Sequence, residues 1–143
     1  MKTGTELESV SKAYPESHSG AVTIDARALQ APQAMCEAYD YPSPSAFSRG
    51  MEVDIGSARL VFVSGTASVG PNGKSLYVGD FRAQAWRAFQ NAREVLRAAG
   101  ADWQNVVKAT IFLKDIARYY SPFNEVRCAY FKDVGLEVYP ASS

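Results

Sequence analysis

A single histidine, His18, and two cysteines, Cys36 and Cys128, are all that the sequence offers of the residue types that most often bind zinc or form disulfide frameworks. A structural zinc site takes about four such ligands at short spacings, and a disulfide framework takes several pairs, so both classes are excluded. Net charge is missing too. The 15 basic and 15 acidic residues cancel, which leaves no long-range field to draw the chain onto nucleic acid or an anionic bilayer. No apolar run approaches the roughly 18 residues of a membrane span. The opening Met1-Lys2-Thr3-Gly4 leads into polar sequence rather than an apolar signal core. These absences set the expectation of a cytoplasmic protein with no membrane or nucleic-acid partner, no metal and no cofactor.

What is present is enough to fold: 143 residues, 47% of them apolar and 12% aromatic, suffice for one domain with a buried core. Residues 1–45 carry Pro15, Pro32, Pro42 and Pro44 without a sustained period, and read as an extended N-terminal arm. Within it, Ala21-Val22-Thr23-Ile24 suits a short edge strand and Ala28 to Tyr39 a brief helix. Residues 46–143 are regular. Met51 to Ile55 alternates apolar and polar residues, Arg59 to Val63 is β-branched and aromatic, and Gly56-Ser57-Ala58 turns between them, predicting a hairpin. Gly70-Pro71-Asn72-Gly73 predicts a second turn. Asp80 is placed to cap a long helix with a stripe of Phe81, Ala85, Phe89, Ala92 and Leu96, ended by Gly100. Val106 to Leu113 reads as a strand. Ser121-Pro122 opens a second helix buried through Phe123, Val126, Tyr130 and Phe131 and ended by Gly135, and Leu136 to Tyr139 begins another strand. The order is β-β-α-β-α-β, an α+β layer with two helices on one face of a mixed sheet. So few strands cover little more than half of what two such helices need, which predicts that final strands are absent from this chain.

Some polar residues stand where chemistry is possible. Ser64, Gly65 and Thr66 follow a strand end, where hydroxyls and free N–H groups either meet a ligand or simply make a turn. Gln84 and Asn91 lie two helical turns apart inside an apolar stripe, and read as amides tying the helix to its neighbours.

The segments "LVFVSGTAS", "AQAWRAFQN", "VVKATIFLKD" and "FNEVRCAYF", followed by "YPASS", together resemble the Rid family of YjgF-like reactive-intermediate deaminases, often labelled endoribonuclease L-PSP. The resemblance covers about Phe47 to Ser143. It implies a chorismate-mutase-like fold, a homotrimer and small-molecule clefts between subunits. It also implies water addition to an imine or enamine derived from an amino acid, releasing ammonia and a 2-keto acid. The family's loop arginine, which binds the substrate carboxylate as a bidentate fork, falls on Ser142 here. The resemblance thus places Ser142 and Ser64 as catalytic candidates and Phe47, Arg49, Gly65, Thr66 and Ser143 as ligand-binding ones, with Arg49 a second cation for a carboxylate or a plain surface strand residue, and Phe47 a stacking ring or a core one.

Pro-Ala-Ser, with "AFSRG" and "SGTAS", is similar to the chorismatase branch of the same superfamily, which releases pyruvate from chorismate. A non-catalytic member binding metabolites or proteins is a further alternative. In Rid relatives the Pro-Ala motif leads into two more strands, which gives the expectation of a processed or truncated chain assembling with a C-terminal partner fragment. In that case a Ser, Thr or Cys at the partner's start would serve as an N-terminal nucleophile.

Overall fold

The computed structural model describes residues 24–143; His18 and positions 21–23 lie outside them. Five strands and two long helices follow in the order β1 (Asp25–Leu29), β2 (Gly50–Asp54), β3 (Arg59–Val63), α1 (Phe81–Ala98), β4 (Lys108–Ala109), α2 (Ile116–Asp133) and β5 (Ala141–Ser142). Strands β1, β2 and β3 form an antiparallel sheet, while β4 and β5 pair in parallel. Val61 and Val63 of β3 and Ile111 just beyond β4 pack against the same helix-borne core, so two helices cover one face of a mixed strand layer. That is the α+β arrangement the sequence predicts, with one strand more at its beginning.

The hairpin forms where alternation and turn residues place it. Gly56 N donates to the Asp54 carboxylate at 2.6 Å, closing the turn between β2 and β3. Gly50 has a different reason to be glycine: a Cβ there would stand 2.8 Å from Val95 Cγ1 and 2.9 Å from the Phe62 carbonyl, so α1 rests directly on the β2 backbone. Asp80 caps α1 by accepting from Ala83 N at 3.0 Å. Beneath the helices lies an aromatic core in which Phe89 meets Trp103, Phe123, Tyr130 and Phe131 at centroid separations of 5.1–5.7 Å.

Four elements differ from the sequence-based expectation. An edge strand runs over Asp25–Leu29, in a register that puts Leu29 opposite Gly50 and buries it among Met35, Val95 and Ala99, while positions 21–23 of the strand expected over Ala21 to Ile24 lie outside the described residues. The helix expected over Ala28 to Tyr39 reduces to a 3₁₀ turn at Ala38–Asp40; instead, residues 31–35 fold down as a plug beneath α1, held by Arg87 Nη2 donating to the Ala34 carbonyl at 2.6 Å. Helix α2 starts at Ile116, capped by the Asp115 carboxylate, which accepts from Arg118 N at 3.1 Å, so Ser121-Pro122 lies inside the helix. The strand expected over Val106 to Leu113 pairs only at Lys108–Ala109, since its partner β5 is two residues long. Among the described residues no helix is long and apolar enough to cross a membrane.

Candidate functional site

The sequence-predicted residues fall into two groups that no hydrogen bond joins among the described residues. The first surrounds the entry to β2 and the exit from β3. Ser64 donates through Oγ to the Ser48 carbonyl at 2.6 Å and through N to the Arg49 carbonyl at 3.0 Å. Thr66 Oγ1 donates to the Ser64 carbonyl at 2.8 Å. Gly65 between them faces open space where a side chain would project. Both hydroxyls thus serve the turn itself, holding the peptide that follows β3 in line with β2.

Arg49 is only 4% exposed. Its guanidinium donates to the Cys36 carbonyl through Nε at 2.9 Å and again through Nη2, which also reaches Tyr41 Oη at 2.8 Å. The rings of Phe47 and Tyr41 lie 5.1 and 5.5 Å from its Cζ. This is neither the exposed strand arginine nor the free carboxylate binder that the sequence left open. Within one chain the cation pins residues 36–41 to β2, and Phe47, 43% exposed, covers it.

The second group surrounds β5. Ala141 N donates to the Val107 carbonyl, Ser143 N to the Ala109 carbonyl and Ile111 N to the Ser143 carbonyl, at 2.8–3.1 Å, so the Pro-Ala-Ser-Ser segment runs beside β4. Ser143 Oγ lies 3.2 Å from Thr110 Oγ1. Ser142 Oγ accepts from Arg127 Nη1 at 2.9 Å.

Arg127 was not singled out from sequence. It sits four residues after Phe123 and four before Phe131, on the face that the apolar stripe of α2 buries, and a charge at that spacing is the signal that would have found it. Its Nη2 donates to Asn124 Oδ1 at 2.6 Å, and its Cζ lies 5.6 Å from the Phe123 ring centre. A cleft of about 150 Å³ opens between α2 and the β4–β5 pair, lined by Phe89, Ile111, Arg127, Phe131, Tyr139 and Ser142, with the exposed Cys128 thiol also on its wall. Phe131 and Tyr139 stack at 5.8 Å to make one side of it. A cation, a hydroxyl and aromatic walls converge there on a space of small-molecule size.

A larger surface cleft, about 330 Å³, runs along the outside of α1 past Trp86, Arg87, Arg93, Glu94, Arg97 and Asp133. Its charges are largely spent internally. Arg93 grips Asp102 as a fork at 2.7–3.1 Å, and Arg97 pairs with Glu94 at 3.2 Å. The Arg93 fork holds the Asp102 carboxyl below its ordinary value of 3.8, against the opposing effect of burial. Asn91, fully buried, donates to the Ala67 and Val69 carbonyls at 2.9 and 2.8 Å, and Gln84 Nε2 to the Leu76 carbonyl at 3.3 Å. The two amides tie α1 to the loop after β3. Among the described residues no three His, Cys, Asp or Glu side chains gather as metal ligands would.

The sequence and the fold have counterparts among known proteins. The chain is 38% identical to protein DfrA of Myxococcus xanthus over 85 residues, 59% of this chain and 63% of that protein. It is 36% identical over 86 residues to the human 2-iminobutanoate/2-iminopropanoate deaminase, covering 60% of this chain and 59% of the relative. The match thus spans less than two thirds of these relatives. The crystal structure of Escherichia coli TdcF with bound serine superimposes with a TM-score of 0.65 at 26% identity, covering 82% of each chain. The model of the family described as Endoribonuclease L-PSP matches residues 42–143, and the chain therefore belongs to that family, the YjgF-like or Rid proteins.

Proposed function

We propose that this chain hydrolyses small 2-imino carboxylates, with the cleft between α2 and β4–β5 as its half of the site. The observation that carries the reading is the composition of that cleft: a guanidinium and a hydroxyl at one end, Arg127 and Ser142, and an apolar wall of Phe89, Ile111 and Phe131. A 2-imino acid with a short alkyl chain has a matching pair of ends. The name of the human relative and the serine bound by TdcF point to the same ligand class, a small amino-acid-derived carboxylate. In the reaction, water adds to the C=N carbon, the C–N bond breaks, and ammonia leaves as the carbonyl of a 2-oxo acid forms. An imine carbon is already electrophilic, so holding the carboxylate and a water in place supplies most of what catalysis needs.

The remaining candidates, Phe47, Gly65 and Thr66, belong to the other group, and we place them across a subunit boundary in a homotrimer. Support comes from the outer face of the first sheet. Cross-strand neighbours share a face, and the register aligns Ala26, Val53 and Leu60, then Ala28, Met51 and Phe62, on the side away from the helices. Leu60 and Phe62 are 47% and 59% exposed in one chain, an apolar patch that a second copy of the same chain would cover.

The test is release of ammonia and 2-oxobutanoate from freshly generated 2-iminobutanoate. Acceleration over the buffer reaction supports the reading; a rate equal to buffer overturns it. Pyruvate release from chorismate in the same preparation would favour the chorismatase-like alternative, which rests on the Pro-Ala-Ser sequence.

A further inference from the structure

We infer that Arg127, from within α2, is the cation that holds the substrate carboxylate, and that Ser142 is short because Arg127 occupies the space beside it. The inference rests on the reading above that the ligand carries a carboxylate. Arg127 is the charged side chain among the residues lining the cleft. Among the described residues, ion pairs engage Arg27, Arg59, Arg82, Arg93 and Arg97, while Arg127 has no carboxylate within 4.0 Å. Its contacts are neutral: the Ser142 hydroxyl, the Asn124 amide oxygen and the Phe123 ring.

A half-buried guanidinium with neutral partners keeps most of its charge uncompensated, and a carboxylate entering the cleft supplies the missing anion in a partly desolvated setting. The guanidinium is also held in advance. Asn124 fixes one nitrogen from one turn below and the Phe123 ring supports the plane, so little side-chain freedom remains to be lost on binding. A long cationic side chain at position 142 would bring a second positive charge to within contact of Arg127, whereas the serine hydroxyl accepts a hydrogen bond from it. Residues 127 and 142 therefore act as a matched pair, with the cation on the helix and the small acceptor on the strand.

The probe is 2-oxobutanoate, with its neutral amide, 2-oxobutanamide, as control, and calorimetry as the readout so that binding is measured whether or not turnover occurs. Wild-type protein should bind the acid in preference to the amide. Arg127→Gln should weaken the acid by about 10- to 100-fold, the loss expected for a charge-assisted hydrogen-bond pair, and erase the preference over the amide. Arg127→Lys should keep the preference at reduced affinity. In unaltered protein, 2-oxobutanoate should protect Arg127 from phenylglyoxal, read by peptide mass spectrometry, which tests the contact even if a variant fails to fold. Equal binding of the acid by wild type and Arg127→Gln, or labelling of Arg127 unaffected by the acid, overturns the inference. Turnover of 2-iminobutanoate with KM unchanged in Arg127→Gln would overturn it while leaving the proposed function standing. Carboxylate binding through Arg127 without turnover would do the reverse.

Discussion

Arg49 and Arg127 show how little a residue's type says about its use until its partners are known. Both are arginines within the span that matches the family, yet Arg49 is turned inward onto the Cys36 carbonyl and Tyr41, while Arg127 looks into a cleft with Ser142. Arg49 was legible because the family resemblance puts it in a strand expected to border a cleft. The sequence hid Arg127 inside a helix stripe read for its apolar members. Asp102 is a third case, a loop carboxylate whose importance appears only when the Arg93 fork is seen to hold it to α1. Because the folded-state pKa of Asp102 is lowered, the native state binds fewer protons there than the unfolded chain does. Its contribution to stability is complete above the unfolded carboxylate's range and is lost as pH falls through the lower folded value. Asp102→Asn should therefore lower the melting temperature at neutral pH and lessen the acid-side fall in stability, which thermal melts across pH 2–7 would measure, on the order of the range where carboxylates titrate. Parallel curves for the two proteins would contradict this.

At the scale of elements, local signals sufficed where they agreed with each other. The β2–β3 hairpin had alternation and a glycine turn, and α1 had a capping aspartate, a continuous stripe and a closing glycine. Helix α2 had two competing starts. Ser121-Pro122 is a good N-terminal signal on its own, but Asp115 caps earlier, and the extra turn brings Tyr119 to stack on Phe81 at 4.3 Å. Proline inside the helix then deprives the Arg118 carbonyl of its partner, a cost borne on an exposed side where water can replace it. The capping assignment gives a direct comparison by chemical denaturation. Asp115→Ala should cost about 1 kcal/mol and Ser121→Ala within about 0.5 kcal/mol of nothing. The reverse order would return the helix start to Ser121. Strand β4 illustrates the opposite limit: eight residues with strand propensity form only two paired positions, because a strand exists by its neighbour and propensity does not supply one.

For the whole molecule, the strand-and-helix order was readable from periodicity, caps and turns and the family from four short segments, while the separation of the site residues into two groups was not. Sequence spacing carries no information on which face of a sheet meets another copy of the chain; that needs the register, which places Leu60 and Phe62 on the uncovered side. In the proposed homotrimer this side is the interface, so Phe62→Lys should shift the assembly toward monomer in sedimentation velocity without loss of helix signal by circular dichroism. An unchanged sedimentation coefficient would remove this face from the assembly. The proposed function joins one cleft to one chemistry. Its most direct test is the rate at which 2-oxobutanoate appears from 2-iminobutanoate, measured with and without saturating propanoate, a carboxylate that has no imine to hydrolyse. Acceleration over buffer that propanoate suppresses is the expected result; a rate indistinguishable from buffer, or an acceleration that propanoate leaves untouched, would overturn the proposed function.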